Sequence, residues 1–429
     1  MKFAPIILLC IGTLLLVAGC GKDESTTGPG SSLTPITVTG KVIGSNRQPV
    51  SGVPVLISGI PSVNTDANGN FSIANVGRPY TITVIDATNK QALVYRGLTR
   101  SDPTLIFLNT VPGTKRVASL TGKVFPATNY PEPATRKTVV GFVSPETGRS
   151  STATAATGAY SLNNMEWYGP TTTTGSIHAL QFDFSTTTGL PTAYLNYGVR
   201  SGISLLDATT NPNGNDTVSV VGTTTMTGTI TAPAGYTISQ KSLALTLGST
   251  VGLSLLSESN PAATFTYSTP NIAGAVFRLN VGATKPASGT VLVTKTGIAG
   301  NATAVSVTLP QAPELSLPIN SATNVTTGTP FSWTQFSGGV HLVMFSGGGG
   351  KPSYLVLTSA NSDSIPNLGA VGLGLPAAST YNWMVYGFAP FSDTDAAAGS
   401  DGFLGLLSGV ATADGSVALS GARTFQTAP

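Results

Sequence analysis

From Ile36 onward the chain falls into short strand-like runs, the first of which alternates apolar and polar residues with period two. ITVTGKVIG (36–44) is followed by PVSGVPVLI, NFSI, YTITVID, ALVYRGL and TLIFLN, a run every ten residues or so bounded by Gly, Pro, Asn or Asp. Alternation places successive side chains on opposite faces of a strand, so this spacing predicts small antiparallel β-sandwiches.

The first of these strings recurs. TGKV (39–42) reappears in ASLTGKVFP (118–126) and, more loosely, in MTGTITAP (226–233). Two landmarks follow in the same order. FSIANV (71–76) has counterparts in YSLNNM (160–165) and FTYSTPNI (265–272), and VYRGLTR (94–100) lines up with LNYGVR (195–200) and VTKTGIAG (293–300). The equivalent glycines, Gly40, Gly122 and Gly228, are a domain's length apart and irregularly spaced, which argues for related domains rather than a solenoid. Three related sandwiches are therefore expected at 35–112, 117–222 and 224–310.

The segment 311–429 breaks the pattern. Phe331, Trp333 and Gln335 alternate, GVHLVMFS and SYLVLTS supply two more strands, and TYNWMVYGF (380–388) precedes a closing GARTFQT. Between these last two lies an insertion, 389–420, longer than a hairpin loop and rich in Ala, Gly and Ser. It reads as loosely ordered, with an apolar patch at 403–407.

The quoted residues carry three resemblances. TGKV, PVSGVPVLI, TDANGNFSI (65–73) and GRPYTITV (77–84) resemble the carboxypeptidase regulatory-like domain, a transthyretin-like sandwich, and 117–222 and 224–310 resemble divergent copies of it. The last segment resembles a fibronectin type III-like domain, which implies that Trp333, Tyr381 and Trp383 fill its core. At the N-terminus, Lys2, an apolar run and LVAGC (16–20) resemble the lipobox of bacterial lipoprotein signal peptides. That likeness implies cleavage after residue 19, acylation of Cys20, and a tether at 20–34. The expected fold class is all-β: tandem small antiparallel β-sandwiches, transthyretin-like and Ig-like, after a cleaved signal peptide and a flexible tether. The expected location is the cell envelope, with the outer membrane favoured in a diderm because Gly21 and Lys22, not Asp, follow the cysteine.

Composition agrees with an all-β chain that needs no cofactor. Charged residues are 9% of the sequence, and the net charge of +3 comes from basic residues scattered without a stripe, which excludes nucleic acid as a partner. The only cysteines are Cys10 and Cys20, so a mature chain beginning at Cys20 has no disulfide.

Catalytic motifs are missing. His178 and His341 fall in different domains, and His341 reads as a half-exposed strand residue. SGGGGKPS (346–353) lacks the first glycine of a phosphate loop and has Pro352 where Ser or Thr would hold magnesium, so it reads as a hairpin tip. Asp66, Asn68 and Asn70 suggest calcium, but the corresponding TAATGAYSL (154–162) lacks those oxygens, and a turn with positive φ at Asn68 and Gly69 explains them better. Asp393, Asp395 and Asp401 form the densest oxygen cluster, without the alternating ligands and closing Glu of a calcium loop. One sugar platform is conceivable, at Trp167 with Tyr168 and Glu166, placed in a loop of the second domain. The preferred function is a non-enzymatic, lipid-anchored scaffold, stalk or adhesin of four modules in a row, with the fourth module or its insertion presenting the contact surface to an envelope protein. A glycan-binding lipoprotein using Trp167 is the alternative.

Overall fold

The computed structural model describes residues 34–108, 113–248, 251–400, 402–403 and 413–429. Among the described residues the secondary structure is mostly strand, with one short α-helix at Thr394–Ala397 and two single turns of 3-10 helix. The segment expected to be a signal peptide, Cys20, and all of the expected tether but Thr34 lie outside the described residues.

The first three modules share one topology. In each, the first strand is flanked by an antiparallel return strand and, on its other edge, by a parallel last strand. In the first module Ile36–Gly44 lies between Asn70–Val76 and Thr104–Phe107. In the second, Lys115–Phe125 lies between Ala159–Tyr168 and the short strands Thr210–Asn211 and Asp216–Thr217. In the third, Gly222–Thr231 lies between Thr264–Asn271 and Val305–Thr308. The facing sheet is also common to all three, and in the first module runs Val63–Asn64, Pro54–Ile57, Tyr80–Asp86, Gln91–Leu98.

A glycine and an aromatic ring fix the register. Gly40 pairs with Phe71, Gly122 with Tyr160, and Gly228 with Phe265. A Cβ on Gly40 or on Gly228 would stand 2.4 Å from the terminal carbon of the ring opposite, so only glycine lets the ring cross the strand. A second glycine marks a bulge in the strand that closes the facing sheet. Gly97 and Gly297 have φ of 71° and 66°, and each precedes a buried aliphatic, Leu98 or Ile298. In the second module this place is taken by Gly202 (φ 76°) before Ile203. The expected counterpart, Gly198 in LNYGVR, is four residues early. In the turn at 65–70 only Gly69 has positive φ (76°); Asn68 does not, and Asp66 caps the turn by accepting from the amides of Asn68 and Asn70 at 2.8 Å each. Those bonds hold the Asp66 carboxyl below its ordinary range.

The fourth module has a sheet of Leu315–Leu317, Phe331–Trp333 and Ser362–Asp363, faced by Ser353–Thr358, Val340–Ser346, Thr380–Ala389 and Arg423–Thr427. Phe331 lies edge-on to Phe345, Trp383 and Phe425 at its centre, and Trp333, Tyr381 and Trp383 are buried. SGGGGKPS closes the hairpin between Val340–Ser346 and Ser353–Thr358, with Gly348, Gly349 and Gly350 all at positive φ.

The modules do not follow one another as separate beads. Gln91–Leu98 of the first pairs in parallel with Ser353–Thr358 of the fourth, and Gly415–Ser420, inside the insertion, bridges Thr380–Ala389 to Gly289–Ala299 of the third. One 14-stranded sheet therefore runs through the third, fourth and first modules. The second packs on the third, where Leu180, Phe182 and Tyr194 share a core with Leu253 and Phe265.

Gly228→Ala is expected to destabilise the soluble protein by about 2–4 kcal/mol, since the new methyl meets both the Phe265 ring and the Val305 carbonyl. Gly97→Ala, which meets only backbone strain, should cost about 1 kcal/mol. Urea unfolding of residues 34–429 measures both.

Candidate functional site

The proposed sugar platform is not at the surface. Trp167 lies within the strand Ala159–Tyr168 rather than in a loop, is 2% exposed, and donates its indole N–H to the Pro170 carbonyl at 2.8 Å. Glu166 is exposed and pairs with Lys115 at 3.1 Å, and Tyr168 is half-buried. The three residues do not converge, because neighbours along a strand point to opposite faces.

His341 is buried, not half-exposed. Its Nε2 accepts from the Phe336 amide at 2.9 Å, and Trp333 lies edge-on against the ring. In the second module, His178 Nδ1 is 2.8 Å from the Tyr197 hydroxyl. Burial pushes both imidazoles down to about 4, so each is neutral at neutral pH. Among the described residues neither belongs to a group of His, Cys, Asp or Glu that could hold a metal.

The insertion supplies a hydrogen-bonded junction between the first and fourth modules. Asp393 caps the helix Thr394–Ala397 by accepting from the Ala396 amide at 2.8 Å. Asp395 reaches into the first module, where its Oδ1 accepts from the amides of Thr99 (2.9 Å) and Arg100 (3.1 Å) and its Oδ2 from the Thr99 hydroxyl. Arg100 returns a bond of 2.7 Å to the Asp395 carbonyl, and the Thr104 amide donates to Ala398. Phe403 is fully buried and stacks on Phe388 at 5.5 Å. On the neighbouring strands Arg96 clamps Asp363 with two bonds, 3.1 and 3.2 Å long. The carboxylates read as possible cation ligands are thus engaged by protein donors, and Asp401 lies outside the described residues. Among the described residues no three His, Cys, Asp or Glu are grouped to hold a metal.

A groove of about 300 Å³ follows the seam of the third and fourth modules, between Val293, Lys295, Ser306, Thr308, Pro390 and Asp414. Its charged groups neutralise each other, Lys295 meeting Asp414 at 3.1 Å. This seam holds strands together and offers no acid–base pair for chemistry.

No family model and no curated protein matches the chain. Among solved structures, the chain is similar to the Bacillus anthracis TIE protein at 9% identity over 64% of this chain and 50% of that one, with a TM-score of 0.16. It is also similar to the fimbrial anchor protein Mfa2 from Porphyromonas gingivalis at 10% identity over 38% and 77%, with a TM-score of 0.17. A third is the major pilin subunit BcpA of Bacillus cereus, at 10% identity over 64% and 99%, with a TM-score of 0.14. The chain spans about half the length of the first. Superposition this loose carries no argument about function.

Asp395→Ala leaves the Thr99 and Arg100 amides without their acceptor and is expected to cost about 1–3 kcal/mol. Limited proteolysis should show faster cleavage within 389–420, while cutting in the second module stays at the wild-type rate.

Proposed function

We propose that this is a non-enzymatic, lipid-anchored envelope protein whose four sandwiches form one joined scaffold. The single observation that carries this reading is the continuous sheet through three modules. A stalk of independent modules would leave each of those edges open, and an enzyme would need a cleft with converging polar groups, whereas the polar groups found at the seams bond the modules to one another. Membership of the first three modules in the carboxypeptidase regulatory-like group, and of the fourth in the fibronectin type III-like group, is supported by the strand orders and by the buried Trp333 and Trp383.

The insertion has a different role in this scaffold from the one expected for it. Its described parts are spent internally: Asp395 and Phe403 on the first module and Gly415–Ser420 on the third. It is a brace rather than a display loop, so the contact surface for an envelope partner falls to the outer sheet faces. The glycan reading loses its support with the burial of Trp167.

The anchor is carried by LVAGC alone. Two or three acyl chains, each methylene contributing about 0.8 kcal/mol on burial, hold a protein on a membrane firmly. Wild-type protein should incorporate labelled palmitate and sediment with membranes, and Cys20→Ser should do neither; a variant that still sediments overturns the anchor. The joined scaffold has its own test. Gln91→Cys with Ser353→Cys places two thiols at paired positions of the first and fourth modules. The pair should oxidise in soluble residues 34–429, which carry no other cysteine, to a monomer of altered gel mobility. Failure to cross-link would show that the two modules stand apart in solution.

A further inference from the structure

The second module is closed by a strap that the sequence reading did not single out. After Pro191–Leu206 the chain runs along the open edge of Lys115–Phe125, pairing through Thr210–Asn211 and Asp216–Thr217. It then crosses to the other sheet, where Ser219–Val220 pairs with Asn196–Tyr197. Two residues later it enters Gly222–Thr231, the first strand of the third module. The strap is therefore both the side wall of one sandwich and the connection to the next.

Backbone groups of the strap are well held. Arg200 Nη1 donates to the carbonyls of Asn213 (3.2 Å) and Asn215 (2.8 Å), and the Tyr160 hydroxyl donates to the Gly214 carbonyl. The Gly214 amide donates to Thr121, that of Val218 to Phe125 and that of Val221 to Leu195.

At the crossing point sits one carboxylate with an unfinished environment. Asp216 is 3% exposed, its Oδ1 accepts from the Thr217 amide at 2.8 Å, and its Oδ2 is buried with no hydrogen-bond partner. It lies over Gly198, where an added Cβ would be 3.2 Å from Oδ2 and 2.4 Å from the Thr217 carbonyl, so the strap is seated directly on that strand. The groups facing Asp216 are Arg200 and Tyr197 from Pro191–Leu206 and Tyr160 from Ala159–Tyr168. His178, on Thr172–Phe184, engages the Tyr197 hydroxyl and is neutral. Lys115–Phe125 presents its backbone at Val124 and Phe125, and the strap itself adds only Asn215 and Thr217. Arg200 is the one cation among them, and its Nη1 is bonded to strap carbonyls.

We propose that the strap is a proton-set latch between the second and third modules, seated when Asp216 is neutral and loosened when it is ionised. An ionised carboxylate needs both oxygens solvated or bonded, and seating leaves one of them buried and bare. Burial raises the Asp216 carboxyl from 3.8 to about 6, with Arg200 and the Thr217 amide opposing. A carboxyl raised in the seated state contributes stability that is complete below 3.8 and is lost as the pH rises through 6. Seating should weaken by about 60-fold between pH 4 and pH 8 if the loosened strap returns Asp216 to its ordinary value. The same motion would reach the third module, because Thr223, next in line, holds the Tyr194 amide at 2.7 Å.

Amide hydrogen exchange on residues 34–429 tests this at pH 5 and pH 8, after correction for intrinsic exchange rates. The openings of Gly214, Val218 and Val221 should increase about ten-fold from pH 5 to pH 8, with sheet amides of the fourth module as the unaffected control. In Asp216→Asn, which keeps the shape and removes the proton equilibrium, the pH dependence should vanish. Strap amides that respond to pH equally in wild type and variant, or in neither, overturn the proposal. Should the variant fail to fold, a carboxyl ¹³C titration of Asp-labelled wild type decides the matter: an aspartate with a midpoint near 6 whose titration parallels the strap exchange supports the latch, and aspartates that all titrate below 5 overturn it.

Discussion

An open sheet edge is the constraint on which this structure turns. A strand at an edge carries amide and carbonyl groups that must be paired, covered or left to water, and small sandwiches have several such edges. Proteins commonly guard them with charge, but only 9% of this sequence is charged. Here the edges guard one another. Gln91–Leu98 is completed by Ser353–Thr358, and Gly289–Ala299 by Gly415–Ser420, so the fourth module has the first on one side and the third on the other. The third module's outermost strand on that sheet, Val251–Glu258, is in turn overlaid by the second module, whose Gly141 lets Leu253 approach closely.

Burial on both faces follows from that joining. In Gln91–Leu98, Leu93 and Tyr95 belong to the core of the first module, while Ala92 and Val94 belong to the core built around Phe331 and Trp383. Across the seam Leu355 and Leu357 face the first core, and Tyr354 and Val356 the second. A strand with a core on each side has no polar face, which is why ALVY and YLVL are unbroken apolar runs. The side-chain clamps add to a junction the backbone has already made: Arg96 holds Asp363, and Asp395 closes the end of the first module.

Much of the all-β architecture was legible because its signals are local. Alternation marks strands with one wet face, and the TGKV and FSIANV strings mark the glycine and aromatic that must oppose each other, Gly40 with Phe71 and Gly228 with Phe265. The bulge glycine was legible as a type but misplaced in the second module, where a Gly followed by a buried aliphatic, SGI at 201–203, was the better guide than the string LNYGVR. The joining of modules was written only indirectly. ALVY and YLVL break the alternation that neighbouring strands obey, yet an apolar run says that a strand is covered on both faces and not by what. Trp167 misled for a related reason. Its flanks NNMEWYGP read as a loop, while Met165 and Trp167 alternate inward on a strand whose register is broken by the positive φ of Asn164. The site residues Asp393 and Asp395 were found by type, but their partners Thr99 and Arg100 lie far away in sequence, and no spacing rule connects them.

The order of the chain gives the joined edges a consequence for folding. Gln91–Leu98 emerges early, and its partner Ser353–Thr358 emerges only after two intervening modules. Until then the first sandwich has its core strands in place but presents an apolar edge strand and the outward residues Ala92 and Val94 to solvent. Long-range pairing of this kind is slow to form, because loop closure precedes any contact that rewards it. The first module alone is thus an incomplete unit despite its own hydrophobic cluster, and the fourth is the piece that turns four sandwiches into one body. The same logic explains why the insertion sits in the fourth module. Only a segment that leaves and re-enters that sheet, between Thr380–Ala389 and Arg423–Thr427, can pass Asp395 and Phe403 to the first module and then send Gly415–Ser420 back to the third.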